Sequence, residues 1–335
     1  MRLPQNQWYP VLESREVGRR PLGVERLGRR LVFWRTADGA LHAHPDRCPH
    51  LGAALSAGKV EADRLVCPFH GFAFDGQGQC VHIPANGRGG KIAKGMALPG
   101  LPQREAHELI WLWLGEPREV YPEVPFFPVL ETGWRHGTTS VDWPAHYTRA
   151  IENQLDVAHL AFVHRTTIGG GDRAFVEGPY VEADRQGIKV WVTNARDEGQ
   201  GARGLAELQA AAALREPTLD FKFPGVWMLN MSPRLKNFIA FVPINEHRTR
   251  YYLRVYHRHF NPLIARPFEA VMGLTNRFIL DQDRRVVVTQ TPRESPPAGE
   301  DRLVEADRAI ARFRALQASL LEDGKSAGAS AEEDG

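Results

Sequence analysis

The chain has 335 residues, 43% apolar and 24% charged, the balance of an ordinary globular protein with material for about two domains. Lys and Arg number 42 against 40 Asp and Glu, and a net charge of +2 lacks the basic excess of a nucleic-acid binder. No apolar run approaches the ~18 residues of a membrane helix, no apolar signal core opens the sequence, and three cysteines exclude a disulfide scaffold, so a cytoplasmic protein without membrane or nucleic-acid partner is expected.

Residues 1–118 read as a β-rich domain. Leu31-Val32-Phe33-Trp34, the turn pair Asp38-Gly39 and Leu41-His42-Ala43-His44 form a hairpin signal. Phe72-Ala73-Phe74 enters a second turn at Asp75-Gly76, and the run from Leu109 to Leu114 is wholly apolar, as a buried strand requires. Pro122, Pro125 and Pro128 mark a linker near 118–130. In the second domain, 119–323, residues 151–164 read as helix and residues 188–192 and 250–260 as strands. Pro267 is placed in the first turn of a helix reaching about Val288. Leu303, Ala306, Ile310, Phe313, Leu316 and Leu320 recur at helical spacing. Gly324 is expected to end that helix and 324–335 to be a disordered tail. The fold class is α+β: an all-β domain, then an α+β domain with an antiparallel sheet flanked by helices. Trp111, Trp113, Trp143, Trp191 and Trp227 are assigned to the core.

Chemistry concentrates first in Cys48-Pro49-His50 and Cys67-Pro68-Phe69-His70, a Cys-x-His and a Cys-x-x-His separated by sixteen residues. Zinc fingers usually pair Cys with Cys and His with His. Two mixed loops suit a [2Fe–2S] centre with two Cys on one iron and two His on the other, although a structural zinc stays open. Gly52 and Gly71 would let the backbone approach the cluster closely. Cys80 fits no ligand pattern and is read as a buried free thiol.

The second concentration is Asn153 to His164. Asp156 and His159 are three apart and share a face if helical. His159 and His164 are five apart, which on a regular helix turns them about 140° from one another. A helix carrying both must therefore end or bulge before His164, and Gly169-Gly170-Gly171 fits such a break. Two His and a carboxylate with open positions make the facial triad of non-haem Fe(II) oxygenases.

The two Cys/His boxes resemble those of Rieske proteins, with Leu51 where many oxygenase members carry Arg and Phe72 where many carry Trp. The later segment resembles the Asn-x-x-Asp-x-x-His-x4-His motif of the Rieske non-haem iron oxygenases, at Asn153, Asp156, His159 and His164. The resemblance implies that Cys48, His50, Cys67 and His70 bind a [2Fe–2S] cluster and that His159 and His164 bind Fe(II). It makes Asp156 a hydrogen-bonding bridge between His159 and His70 of a neighbouring subunit, and puts Asn153 beside the iron. The family's late-helix pattern selects Asp283 as third ligand, with Asp281 as rival and with Gln282 and Val288 where acids are common. A chain of this length is similar to the α-only oxygenases of the vanillate O-demethylase and dicamba monooxygenase type. That similarity implies a homotrimer, O2 as co-substrate, a separate reductase or ferredoxin fed by NAD(P)H, and a small organic substrate. Hydroxylation or oxidative O- or N-demethylation of an aromatic or cyclic compound is the leading expectation, ahead of cis-dihydroxylation and of an electron carrier without oxygenase chemistry.

Gly199-Gln200-Gly201-Ala202-Arg203-Gly204 matches G-x-G-x-x-G, but Asn194 to Glu198 separates it from the preceding strand, so it is read as a loop rather than a dinucleotide site. The other histidines, His42, His44, His82, His107, His136, His146, His247, His257 and His259, carry no ligand spacing.

Overall fold

The computed structural model describes residues 1–258, 261–297 and 299–332. The chain divides into two compact units, Trp8–Val124 with Met1, and Pro125–Gly335 with Arg2–Gln7.

The first unit is built from short strands: β1 (Gln7–Glu13), β2 (Leu22–Arg26), β3 (Arg29–Arg35), β4 (Leu41–Pro45), β5 (Lys59–Glu61), β6 (Arg64–Val66), β7 (Ala73–Phe74), β8 (Cys80–His82), β9 (Gln103–Ala106) and β10 (Leu109–Leu114). They form three small sheets in the orders β1-β10-β9, β2-β3-β4 and β5-β6-β7-β8. Both expected hairpins exist: β3 pairs antiparallel with β4, and β7 with β8. In the second turn Gly78, at φ +79°, takes the left-handed position rather than Gly76. Every residue of β10 is buried, as its apolar run requires. Phe33, Trp34, Phe74 and Trp111 are fully enclosed, and Cys80 is a buried free thiol.

The second unit is α+β. Its elements are β11 (Arg135–Trp143), α1 (Tyr147–Leu155), α2 (Leu160–Val163), β12 (Phe175–Ala183), β13 (Gly187–Ala195), α3 (Leu205–Ala212), β14 (Leu219–Lys222), β15 (Val226–Ser232), β16 (Leu235–Asn245), β17 (Arg248–His257), α4 (Pro262–Val287) and α5 (Arg308–Glu332). The strands form one antiparallel seven-stranded sheet, ordered β11-β17-β16-β15-β14-β13-β12. Because β13 lies between two antiparallel partners, the glycine-rich loop before α3 is not the turn of a parallel βαβ unit. Asp197 and Gln200 side chains accept the loop's own backbone N–H groups, from Gly199 and Glu198.

Three helix boundaries differ from expectation. The expected helix over 151–164 stops at Leu155, because Asp156 adopts an extended backbone and its carboxylate takes the N–H groups of Ala158 and His159. Helix α4 starts at Pro262, so Pro267 lies inside it rather than in its first turn. Asn261 accepts the Ile264 N–H with its side chain (3.2 Å), making Asn261-Pro262 an N-cap followed by the favoured first-turn proline. Helix α5 runs through Gly324 to Glu332, where the tail was expected. A glycine inside a helix costs only about 1 kcal/mol, and the alanines beyond it are strong helix formers. The remainder of that expected tail, 333–335, lies outside the described residues, as do residues 259–260 of the expected strand over 250–260.

Candidate metal centres

The first site is two copies of one backbone loop. Cys48 follows β4 and Cys67 follows β6. The Cys48 N–H donates to Ala53 O (2.8 Å) and the Gly52 N–H to Cys48 O (2.9 Å). Likewise the Cys67 N–H donates to Phe72 O (2.8 Å) and the Gly71 N–H to Cys67 O (3.1 Å). Gly52 and Gly71, each four residues after the cysteine, lie at φ +76° and +71°, where an L side chain is strained.

These loops bring like donors together. Both cysteines are buried in an apolar cluster with Trp34, Leu55, Leu65 and Phe74. Burial, with the Cys67 sulfur alongside, pushes the Cys48 thiol up to about 11. The His50 and His70 rings lie 4.7 Å apart; Phe72 stacks on His50 at 4.7 Å and 5°, and Phe69 tilts over His70 at 3.9 Å. The Nδ1 of His50 is buried without a hydrogen-bond partner, a state a metal bond would relieve. Paired sulfurs and paired imidazoles fit the split donor set of a His2Cys2 [2Fe–2S] centre. A single tetrahedral ion would need all four atoms around one point. Among the described residues, the one group of three or more His, Cys, Asp or Glu with all its ligand atoms within 4.8 Å of one another lies elsewhere.

That group is His159, His164 and Asp283, in the second unit. Helix α1 carries Asn153 and is anchored by its neighbour Glu152, whose buried carboxylate meets Arg149 (3.1 Å) and Arg314 (2.6 Å). After the break at Asp156, the short α2 presents His159 at its start and His164 at its end. Asp156 and His159 are thus paired across a turn, not along one helix face: Asp156 Oδ2 stands 3.6 Å from His159 Nδ1. Gly169 lies beneath α2 so tightly that a Cβ would come within 1.8 Å of Leu160 O.

Asp283 comes from the buried stripe of α4, which runs Asn276, Leu280, Asp283, Val287 at spacings of four, three and four. Its Oδ1 is 2.9 Å from His164 Nε2 and 3.4 Å from His159 Nε2, and the Asn153 amide donates to it at 3.4 Å. The rival Asp281 is off the stripe and is occupied by Arg284 and Arg285. Burial acts to raise the Asp283 carboxyl, but the two imidazoles outweigh it and hold it below the usual range. Burial acts to lower His159, and Asp156 and Asp283 reverse this, lifting it to about 9. A dense set of two imidazoles and one carboxylate, with His164 and Asp283 buried and His159 partly so, fits a divalent iron with coordination positions left open.

One functional neighbour entered the sequence reading only as a departure from the family pattern, with no role assigned. Gln282 faces the other side of His164, its Oε1 2.9 Å from Nδ1. Its adjacency to Asp283 and its place in the late-helix pattern were the available signals. None of the other described histidines joins the triad, and the buried ones are engaged, His44 Nδ1 with Pro99 O (3.1 Å), His146 as the cap of α1, and His257 with Glu269 (3.0 Å). His259 lies outside the described residues.

Comparison with known proteins finds a domain match in each half of the chain. The Rieske [2Fe-2S] domain profile matches residues 7–102, and that of the vanillate O-demethylase oxygenase C-terminal domain matches residues 143–323. The chain belongs to the family these two domains define, the Rieske proteins with a vanillate O-demethylase-type oxygenase C-terminal domain. It is 36% identical over 171 residues to the dicamba O-demethylase oxygenase component of Stenotrophomonas maltophilia, a match covering 49% of each chain. It is 33% identical over 174 residues to the chloroacetanilide N-alkylformylase oxygenase component of Rhizorhabdus wittichii, covering 49% of this chain and 47% of that one. The matched region thus spans about half the length of these relatives. The crystal structure of dicamba monooxygenase bound to dicamba shares the fold, with a TM-score of 0.75 over 97% of this chain and 100% of that one at 20% identity. Among the described residues no helix is long and apolar enough to cross a membrane.

Proposed function

We propose that the chain is the terminal oxygenase of a multicomponent system, acting in the cytoplasm to hydroxylate, or oxidatively O- or N-demethylate, an aromatic or other cyclic organic substrate. The observation that carries this reading is the convergence of His159, His164 and Asp283 within 4.8 Å in a chain that also folds two Cys/His loops. Cys48, Cys67, His50 and His70 would hold the [2Fe–2S] cluster, and His159, His164 and Asp283 the ferrous ion. When bound, the two centres supply stored electrons and an open ferrous position for O2. The chain orients the donors: Asp156 faces His159 Nδ1 and so leaves Nε2 toward Asp283, while the Asn153 amide steadies Asp283 Oδ1. Electrons originate in NAD(P)H and arrive through a separate reductase or ferredoxin.

The working assembly is a homotrimer in which His70 of one chain meets Asp156 of the next. Two features support it. His70 is exposed with its ring neighbour Phe69, as is Leu51 of the other loop, and Asp156 keeps 29% of its side chain exposed, with Phe162 and Ile168 of the following segment exposed as well. Each segment therefore offers exposed apolar side chains together with a polar one, a composition that suits an interface.

The test is turnover by the full iron-loaded chain with an added ferredoxin and reductase, NADH and a panel of methoxy-aromatic, N-methyl and polycyclic compounds. We expect formaldehyde or a hydroxylated product from at least one of them, dependent on the added reductase. Turnover driven by NADH with this chain alone contradicts the electron supply, and failure of every compound to stimulate O2 uptake contradicts the oxygenase reading.

A further inference from the structure

The two histidines of the ferrous site are supported by unlike partners. Behind His159 stands the Asp156 carboxylate, 3.6 Å from Nδ1. Behind His164 stands a neutral amide, with Gln282 Oε1 2.9 Å from Nδ1. Gln282 and Asp283 are consecutive on α4, so one helix turn addresses both nitrogens of the same ring: Asp283 at Nε2 and Gln282 at Nδ1. A metal at Nε2 needs the lone pair there, so the ring proton must sit on Nδ1 and needs an acceptor. Gln282 Oε1 is that acceptor. The Thr167 hydroxyl has two acceptors in reach, the same oxygen at 3.0 Å and His164 O at 3.2 Å; donated to the nearer, Gln282 Oε1, its hydrogen keeps the amide from presenting its NH2 to the ring.

Resting on the oxygenase reading above, we propose that Gln282, oriented by Thr167, is a positioning residue that fixes the tautomer of His164 and, being uncharged, keeps it the less electron-rich of the two imidazoles. An anionic partner raises the basicity of a ligating imidazole, whereas an amide polarises it far less. The site is thereby asymmetric by construction, with the donor strength of His159 raised by a carboxylate and that of His164 left near its ordinary level.

The experiment uses the full chain with its cluster in place. Ferrous ion is titrated against a chromogenic ferrous chelator for the wild type, Gln282→Met, Gln282→Glu and Thr167→Val, and the nitrosyl adduct of each is recorded by EPR. Gln282→Met should weaken ferrous binding about 10–100-fold, the usual effect of losing such a partner. Gln282→Glu should restore the affinity and shift the nitrosyl spectrum, because the acceptor returns with a charge. Thr167→Val keeps Gln282 and alters an exposed side chain, so it tests the same claim if the Met variant does not fold; it should weaken binding in the same direction by less. Ferrous affinity within twofold of wild type for Gln282→Met or, where that variant does not fold, for Thr167→Val, or a Glu variant no better than Met, overturns the inference alone. A wild-type chain that binds no ferrous ion beyond its cluster overturns the oxygenase reading with it.

Discussion

The two candidate centres are assembled by opposite means. The Cys/His loops are local: each is closed by its own two backbone hydrogen bonds and a left-handed glycine. The triad is distant: six of the seven sheet strands lie in sequence between the two histidines and Asp283. The local site depends on backbone conformation and burial of its cysteines. The distant one depends on the packing of α4 against α2 and on a helix interrupted at the right residue.

The largest effects should separate the two. Cys67→Ser should abolish the cluster's visible and EPR signals while the second unit still binds ferrous ion. His164→Ala should do the reverse, leaving the cluster and removing ferrous binding by two orders of magnitude or more, since it deletes one ligand of three. Iron content and EPR on each variant decide the matter; a substitution that empties both sites breaks the comparison. Asp156→Asn should retain both metals yet slow cluster-to-iron electron transfer in a single turnover by roughly 10–100-fold. An unchanged rate would remove the carboxylate from the route. The smallest effects lie in the loops. Gly52→Ala and Gly71→Ala should each cost about 1–2 kcal/mol through the left-handed backbone. The second should cost more, because a Cβ at Gly71 meets Pro84 Cγ at 3.0 Å, whereas at Gly52 it meets the flexible Arg47 side chain at 3.3 Å. Thermal unfolding with cluster absorbance as the probe orders the pair, and equal losses would show that the ring of Pro84 yields freely.

This contrast also governs what could be read from the sequence. Cys48, His50, Cys67 and His70 announce themselves because ligand spacing within one loop is written in consecutive residues. The need for a break before His164 follows from helix geometry, but its position does not. Asp156 ends the helix eight residues before His164 because its own carboxylate captures the next N–H groups. Asp283 was reachable only by family pattern, and its place on the stripe Asn276, Leu280, Asp283, Val287 separates it from Asp281. The start of α4 was legible in Asn261-Pro262 and was overshadowed by Pro267. The role of Gln282 was not legible, since its partner His164 is 118 residues away and meets it only after the sheet has folded.

The most direct test of the central claim, one cluster and one separate ferrous site in the same chain, is Mössbauer spectroscopy with iron quantification on anaerobically prepared, fully loaded protein. About three irons per chain are expected, two in an exchange-coupled His2Cys2 cluster and one high-spin ferrous that shifts on binding nitric oxide. Zinc bound at the Cys/His loops, or two irons with no separate ferrous component, would contradict it.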